Sequence, residues 1–292
     1  MKFVRFLWQR KDFTPAFNRN RHVGRRFFAQ TSARVGIAVA GFLIILTLVA
    51  PLVLPFEPNE QNLSEKLSAP DSRHLLGTDQ YGRDVLARVA NGGGRSLGAA
   101  FLVLSITLFL SLILGIVVGM TGGIVETLAM RTADILLALP SLVLALAVVG
   151  VLGVGFENLM IALVASSLAF YTRLARSYAR LANQRQDVIV ARLAGIGWTR
   201  IVFGHILPGV FAQMLIVATL DLGGIIIGIA GLSFLGLGVQ PPEAEWGAML
   251  NESRLFFTTS PWLLIAPGVA IFLSVVSANL IGNALRDAND LR

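Results

Sequence analysis

The chain has 292 residues, of which 55% are apolar and only 14% are charged, and its mean hydropathy is +0.72. Ordinary soluble domains carry about 25% charged residues, so this composition excludes a soluble globule, and it also excludes a disordered or fibrous chain, which would need polarity or repeats. The net charge of +7 and the lack of cysteine fit an integral membrane protein without disulfides, thiolate catalysis or cysteine-based zinc sites.

Six apolar runs are candidates for transmembrane helices, each of which needs about 20 residues to cross the hydrocarbon core. They span residues 35–54, 98–120, 132–150, 159–171, 213–238 and 262–282. The first run starts too far from the N-terminus, and is too long, for a cleaved signal peptide, so we interpret it as a retained anchor. The fourth run is short, and Arg173 and Arg176 follow it directly. The pattern predicts an all-α integral membrane protein with six transmembrane helices.

The charges of the connecting segments predict how these helices are oriented. The tail 1–34 has nine basic residues and one acid, loop 172–212 has six arginines and one acid, and segment 239–261 has three acids and one base. Lysine and arginine are enriched in cytoplasmic loops, so we expect both termini and loop 172–212 in the cytoplasm. The resulting division is a basic cytoplasmic tail (1–34), a first transmembrane helix (35–54), an extracytoplasmic segment (55–97), a helical core (98–283) that contains loop 172–212, and a cytoplasmic C-terminal tail (284–292).

Motifs for catalysis are missing or incomplete. No Gly-x-x-x-x-Gly-Lys-Ser/Thr loop occurs, so the chain itself cannot hold nucleotide phosphates in this way. Residues 94–98 spell the Gly-x-Ser-x-Gly of a nucleophile elbow, but no strand pattern precedes them, and we interpret the glycines at 92–94 as a hinge. His22, His74 and His205 fall on different segments, so we expect no metal site. The chain is predicted to be no enzyme and to bind no cofactor.

The basic tail 1–34 also contains aromatic residues, a composition that occurs in RNA-binding arms. It has no recognisable nucleic-acid module, and it adjoins a span where basic and aromatic residues are expected at the lipid surface. We therefore expect membrane lipid, and no nucleic acid, as its partner.

Three charged residues lie within or beside the apolar runs, where an ionisable group usually faces a partner or a cavity. Arg131 and Asp134 lie on one helical face; they are interpreted as an i,i+3 ion pair or, alternatively, as part of a translocation pathway. Asp221 lies deeper in its run. It either faces the pathway and meets a cationic substrate, or it is satisfied by a neighbouring helix or by backbone donors, and the sequence leaves both interpretations open.

Small residues at four-residue spacing allow helices to approach each other closely. Gly115 and Gly119 have this spacing, and so do Gly224 and Gly228. We expect both pairs at contacts between helices.

Loop 172–212 is longer than a connector needs to be, and its apolar residues recur at helical spacing. Gly195 and Gly197 interrupt the pattern, and Pro208 ends it, which predicts a short helix, a glycine turn and a second short helix that returns to the membrane. Such an element suits docking into a groove on another protein. The alternative is an amphipathic helix that lies on the lipid surface.

The same loop resembles the EAA loop of ABC importer permeases. Ala191 fills the third position of the Glu-Ala-Ala triplet, Gly195 the following glycine, and Leu207 and Pro208 the Leu-Pro pair, while Ile and Val replace the first two triplet residues. The isoleucine position of the family carries His205, and the isoleucine is shifted by one residue to Ile206. The residues that the resemblance assigns to ATPase coupling are Val188, Ala191, Arg192, Gly195, Gly197, Leu207 and Pro208.

Three further stretches resemble the C-type permeases of dipeptide, oligopeptide and nickel importers. They are residues 74–84 before the second span, 231–247 at the end of the fifth span, and 279–287 at the exit of the last one. The extracytoplasmic motif within the first stretch comprises Gly77, Thr78, Asp79, Gly82, Arg83 and Asp84.

The residues of these stretches also have physical interpretations. Asp79, Arg83 and Asp84 place opposite charges within about one turn, which predicts a local ionic staple. The Pro-Pro pair at 241–242 is expected to stop the fifth helix. Trp246 and Trp262 are expected to be anchors at the membrane interface.

The resemblance implies a type I ABC importer permease fold in the inner membrane, with 98–283 as the permease core and loop 172–212 as its coupling loop. It implies a homologous B-type permease that completes a heterodimeric pore, two cytoplasmic ATPases that bind ATP and Mg²⁺, and an extracytoplasmic substrate-binding protein. The implied substrates are dipeptides, oligopeptides, nickel or metal chelates. The alternatives are an ATP-independent secondary transporter or channel and a membrane scaffold.

Overall fold

The computed structural model describes residues 24–289, so most of the predicted N-terminal tail and residues 290–292 lie outside the described part. The helices are α1 (Thr31–Val53), α2 (Val85–Thr121), α3 (Gly123–Leu137), α4 (Ser141–Leu152), α5 (Phe156–Asn183), α6 (Gln186–Leu193), α7 (Trp198–Ile201), α8 (Leu207–Phe234), α9 (Trp246–Ser253) and α10 (Trp262–Asn289). A π-helical segment, Val202–Ile206, joins α7 to α8, and single 3₁₀ turns form at Leu63–Glu65 and Arg254–Phe256. Between residues 24 and 289 no β-strand forms. The predicted all-helical class is confirmed.

The long helices α1, α2, α5, α8 (with α7 and the π segment) and α10 are each long and apolar enough to cross a membrane. The sixth crossing differs from the prediction, because run 132–150 is not one helix. Helices α3 and α4 meet at an angle of 93°, where Pro140 lacks an N–H for the helical ladder and disfavours helical geometry at Leu139. A sharply bent pair of helices, which has the length and apolarity of one span when taken together, therefore replaces the continuous third helix; we call this pair the broken span.

The second span starts at Val85, well before the predicted residue 98, because Asp84 caps the helix: its Oδ1 accepts the N–H of Ala87 at 2.7 Å. The predicted hinge at 92–94 is wrong, since these glycines lie inside α2. A Cβ atom at Gly92 would lie 3.2 Å from the backbone nitrogen of Glu245, and one at Gly93 would lie 2.2 Å from the side chain of Thr47. Gly92 and Gly93 therefore serve close packing rather than bending.

The core of the bundle forms where α2 packs along α5. A Cβ atom at Gly115 would lie 2.4 Å from the Cβ of Ala175, and one at Gly119 would lie 3.0 Å from the carbonyl oxygen of Arg176. The expected role of this glycine pair is confirmed. Of the other pair, Gly228 is confirmed at a helix contact, since a Cβ atom there would lie 3.4 Å from the side chain of Leu163 on α5, whereas Gly224 meets no other helix. The contact of α8 with α10 uses Gly223 instead, where a Cβ atom would lie 3.2 Å from Val275.

The segment after α8 departs from two predictions. Helix α8 ends at Phe234, before the Pro-Pro pair, because Gly236 (φ +83°) closes a Schellman motif in which its N–H donates to the carbonyl of Ser233 at 2.9 Å. Trp246 is no interface anchor: it is fully buried, and its indole N–H donates to the carbonyl of Val89 at 2.9 Å. Trp262 likewise donates to a protein carbonyl, that of Thr78, at 3.3 Å.

Candidate functional site

The loop element, which we define as residues 186–206, comprises α6, a glycine turn, α7 and the π segment. Gly195 ends α6 with φ +77°, and the N–H groups of Gly195 and Ile196 donate to the carbonyls of Arg192 and Ala191 at 3.0 and 3.1 Å. This Schellman motif requires a left-handed residue, which glycine adopts without steric cost. Gly197 has an ordinary φ of −62° and caps the start of α7. The predicted helix, glycine turn and second helix are confirmed.

The two faces of α6 have different surroundings. Val188 and Ala191 are buried and pack into the core of the bundle. On the other face, Ile189, Val190 and Leu193 are exposed by 45%, 63% and 83%. Val188 and Ala191 therefore position α6, while the residues free to meet a partner are ones that the sequence reasoning did not assign. Helical spacing from the buried pair is the signal that would have found them.

The remaining residues of the coupling assignment hold the loop element to its neighbours. The guanidinium of Arg192 donates to Asn183 Oδ1 at 2.6 Å. Leu207 is the first residue of α8, and Pro208 lies in its first turn, where a proline is tolerated.

The geometry of the π segment determines which of its side chains are buried in the core. Its i to i+5 hydrogen bond, from the N–H of Leu207 to the carbonyl of Val202, encloses one residue more than an α-helical turn. With this extra residue Ile206 is fully buried, while His205 stays partly exposed. The one-residue displacement of the isoleucine along the sequence is thus matched by a change in helix type.

Segment 55–97 is tied to α9 by a buried ionic cluster. The Nε of Arg83 donates to Asp79 Oδ2 at 2.6 Å, which confirms this part of the local staple. The guanidinium groups of Arg83 and Arg88, which are almost fully buried, also reach Glu252 Oε2 at 2.7 and 3.3 Å. Arg88 and Glu252 were not predicted, because these contacts join residues far apart in the sequence.

Asp84 has a different role from the predicted staple. Besides capping α2, it contacts the buried imidazole of His74, with 2.8 Å between Asp84 Oδ2 and His74 Nδ1. Nearby, the N–H groups of His74 and Arg73 donate to Asp71, and these hydrogen bonds lower the pKa of the Asp71 carboxyl.

The other motif residues of this segment serve its backbone. Gly77 and Gly82 have φ values of +72° and +74°, and a Cβ atom at Gly82 would lie 1.8 Å from the carbonyl oxygen of Asn62. The hydroxyl of Thr78 accepts the N–H of Ser68 at 2.9 Å. The motif residues therefore fold the segment into a compact structure at the N-terminal end of α2.

A cavity of about 550 Å³ lies between the broken span, α5 and α8. Asp221 of α8 lines it, and the hydroxyl of the buried Tyr171 on α5 donates to Asp221 Oδ2 at 2.8 Å. The hydrogen bond from Tyr171 confirms that a neighbouring helix satisfies one carboxylate oxygen. That Asp221 faces the translocation pathway stays a prediction, and the structure places the residue at the edge of a cavity.

Arg131 and Asp134 do not form the predicted i,i+3 pair. Asp134 pairs with Arg173 of α5 instead, and neither Asp134 nor Arg131 is among the residues that line the cavity around Asp221. Two turns earlier on α3, Glu126 pairs with Arg176 and, at 3.1 Å, with Arg180. Helix spacing aligns these arginines on one face of α5, where they hold α3, the first half of the broken span.

Comparison with known proteins identifies the fold. Residues 111–292 match the family model described as "Binding-protein-dependent transport system inner membrane component", and residues 20–70 match the "N-terminal TM domain of oligopeptide transport permease C".

Curated relatives match over nearly the full chain. The nickel transport system permease protein NikC of Escherichia coli (strain K12) is 39% identical over 259 residues, covering 89% of this chain and 94% of the relative. The di/tripeptide transport system permease protein DppC of Pseudomonas aeruginosa (strain UCBPP-PA14) is 40% identical, covering 90% of each chain. The glutathione transport system permease protein GsiD of Pectobacterium atrosepticum is 36% identical, covering 92% and 90%. The chain therefore belongs to the family of inner membrane components of binding-protein-dependent transport systems, and it is a multi-pass permease subunit of an ABC importer.

Proposed function

We propose that this permease forms one half of a heterodimeric pathway with a homologous B-type permease, and that its loop element docks into one of two cytoplasmic ATPases. In this proposal the ATPases bind ATP and Mg²⁺, this chain binds no cofactor, and an extracytoplasmic binding protein delivers the substrate. Both termini and loop 172–212 lie in the cytoplasm, as the distribution of arginine and lysine indicates.

The observation that carries this proposal is the exposed apolar face of α6. Ile189, Val190 and Leu193 project from a helix whose opposite face is fixed in the bundle core. Apolar side chains clustered on a rigid, projecting helix favour helix-in-groove recognition by a protein partner. The positively charged surroundings of the loop do not by themselves distinguish this from lipid binding, but the buried Val188 and Ala191 orient the apolar face away from the bundle.

In the proposed mechanism the loop element acts as a lever and no covalent chemistry takes place in this chain. Closure of the ATPases on ATP moves the loop element, and α8 transmits the movement because it continues without a break from Leu207 to the cavity at Asp221. The bundle then changes from inward-facing to outward-facing and receives substrate from the binding protein.

The names of the relatives support the proposed substrate class. Their names specify nickel, dipeptides, di/tripeptides and glutathione, so we propose transport of short peptides or of nickel as the ion or a chelate. The predicted spans contain no cysteine or histidine, whose thiolate and imidazole groups are common ligands of first-row transition metals such as nickel. This favours a peptide or a chelated metal over the free ion.

Copurification with the ATPases tests docking directly. Leu193→Asp places a charge in the exposed apolar face and leaves the core untouched, so the ATPase subunits should copurify in mild detergent at least about tenfold less well, as for a central interface residue. Leu255→Asp is the matched control, because Leu255 is 79% exposed but lies on the predicted opposite side of the membrane. Equal recovery of ATPases with both variants would refute the docking proposal.

A further inference from the structure

The cavity around Asp221 is formed by residues of three elements. Pro140 and its neighbours at the break of the third span form one wall, Ser167 and Tyr171 of α5 form a second, and α8 contributes Asp221 and two glycines. A Cβ atom at Gly224 would lie 3.1 Å from Asp221 Oδ1 and would touch no other helix. The lack of a side chain at Gly224 therefore leaves open space beside the carboxylate.

The charge of Asp221 is only partly compensated. The Tyr171 hydroxyl donates to Oδ2 at 2.8 Å, and a neutral hydroxyl brings no positive charge to the carboxylate. Of the described residues that line the cavity, Asp221 is the only Asp, Glu, Lys, Arg or His. The arginines of α5 nearest in sequence to Tyr171 are engaged elsewhere, Arg173 by Asp134 and Arg176 by Glu126.

A carboxylate within a membrane bundle that lacks a cationic partner attracts mobile cations into the adjoining cavity. The other polar side chains of the wall are hydroxyls of serine and tyrosine, which carry no net charge. Selection by charge in this cavity therefore depends on one residue.

We propose that Asp221, positioned by Tyr171, makes this cavity a cation-selective station on the transport pathway, which accepts the positively charged group of the substrate and disfavours anions. This inference rests on the proposed function and adds the charge class of the group that passes. The cation is either the ammonium group of a peptide or a metal ion, and both would be recognised by the same carboxylate.

The lack of cysteine in this chain allows a direct test in the assembled transporter. Ser167→Cys places one thiol in the cavity wall, and Thr258→Cys places one at an exposed site in the segment after α9. The thiols are treated with a cationic trimethylammonium-ethyl methanethiosulfonate or with its anionic sulfonatoethyl analogue, and the rate is followed by the mass of this subunit.

We expect the ratio of cationic to anionic reaction rates to be at least about tenfold higher at position 167 than at position 258. Asp221→Asn should bring the ratio at 167 down to the control value, and Asp221→Glu should retain it. Equal ratios at the two sites, or no reaction at 167 with either reagent while 258 reacts, would overturn the proposal.

Uptake measurements distinguish the two cation sources. Radiolabelled dialanine tests the ammonium group and radiolabelled Ni²⁺ tests the metal, each with wild-type chain, Asp221→Asn and Asp221→Glu in the whole transporter. Loss of uptake of about tenfold or more in the Asn variant, with recovery in the Glu variant, identifies the source. If the wild type takes up a probe and the Asp221→Asn variant takes it up equally well, the result would count against a cation-selective role of the cavity but not against the importer. Failure of the ATPases to bind the chain would count against the importer, whatever the thiol rates.

Discussion

The turn at Gly195 allows a quantitative test of the loop element. Gly195 adopts φ +77°, and a Cβ atom there would have no heavy atom within 4 Å, so Gly195→Ala introduces backbone strain without a clash. An L-residue in the left-handed region costs about 1–2 kcal/mol, and the lower entropy of the unfolded chain returns about 0.4–1 kcal/mol. The net cost is about 1 kcal/mol, which lowers the equilibrium constant between the native turn and other conformations by about fivefold.

Two matched variants separate this strain from a general effect of substitution. At Gly197 an added Cβ also meets nothing within 4 Å, but φ is −62°, so Gly197→Ala should cost little. Asparagine tolerates the left-handed region better than alanine, so Gly195→Asn should recover part of the loss.

The assay is titration of the purified permease with its ATPase subunits. If docking requires the native turn, the apparent Kd for Gly195→Ala should rise by up to about fivefold, with Gly195→Asn in between and Gly197→Ala near wild type. ATP-driven uptake should fall in the same order. An equal loss at both glycines, or no difference between alanine and asparagine at position 195, would refute the argument from backbone strain.

Three other substitutions test the packing around the site. Glu252→Gln removes one of two carboxylates that pair with the buried Arg83 and Arg88, and Asp79 remains at 2.6 and 3.6 Å. The loss of these charge-assisted hydrogen bonds should destabilise the permease by about 1.5–3 kcal/mol, seen as a lower midpoint of thermal unfolding in detergent. Glu243→Gln, in a partly exposed ion pair, should change the stability by at most about 1 kcal/mol. Gly115→Ala forces α2 away from α5 and should lower the free energy of unfolding by about 1–3 kcal/mol in the same assay. The control is Gly98→Ala, which has nothing within 4 Å of the new Cβ and should be neutral or stabilising. Equal unfolding midpoints for the two variants would contradict the contact assigned to Gly115. Glu126→Gln removes the charge that pairs α3 with two arginines of α5, so amide hydrogen exchange in Gly123–Leu137 should become faster, and unchanged exchange would show that packing alone holds this helix.

Local sequence signals predicted most of the architecture. Apolar runs placed the long helices, and a glycine between two short amphipathic stretches placed the turn at Gly195. The missed features are long-range ones. The burial of Trp246 and the pairing of Arg88 with Glu252 depend on which segments meet in space, and hydropathy along the chain treats a tryptophan or an arginine near a span as an interface residue. The break at Pro140 was missed for another reason, because its flanks are as apolar as an unbroken span.

The continuous helix α8 connects the loop element to the cavity. It starts at Leu207, directly after the π segment, and Asp221 lies about 20 Å further along its axis at 1.5 Å per residue. The other walls of the cavity are held differently, since α5 packs tightly on α2 through Gly115, whereas α3 is held to α5 by ion pairs and bounded by glycines with positive φ at 122 and 123. A displacement of the loop element would therefore move Asp221 with α8 as a rigid unit, and the part of the cavity wall that can yield to this movement is the broken span rather than α5.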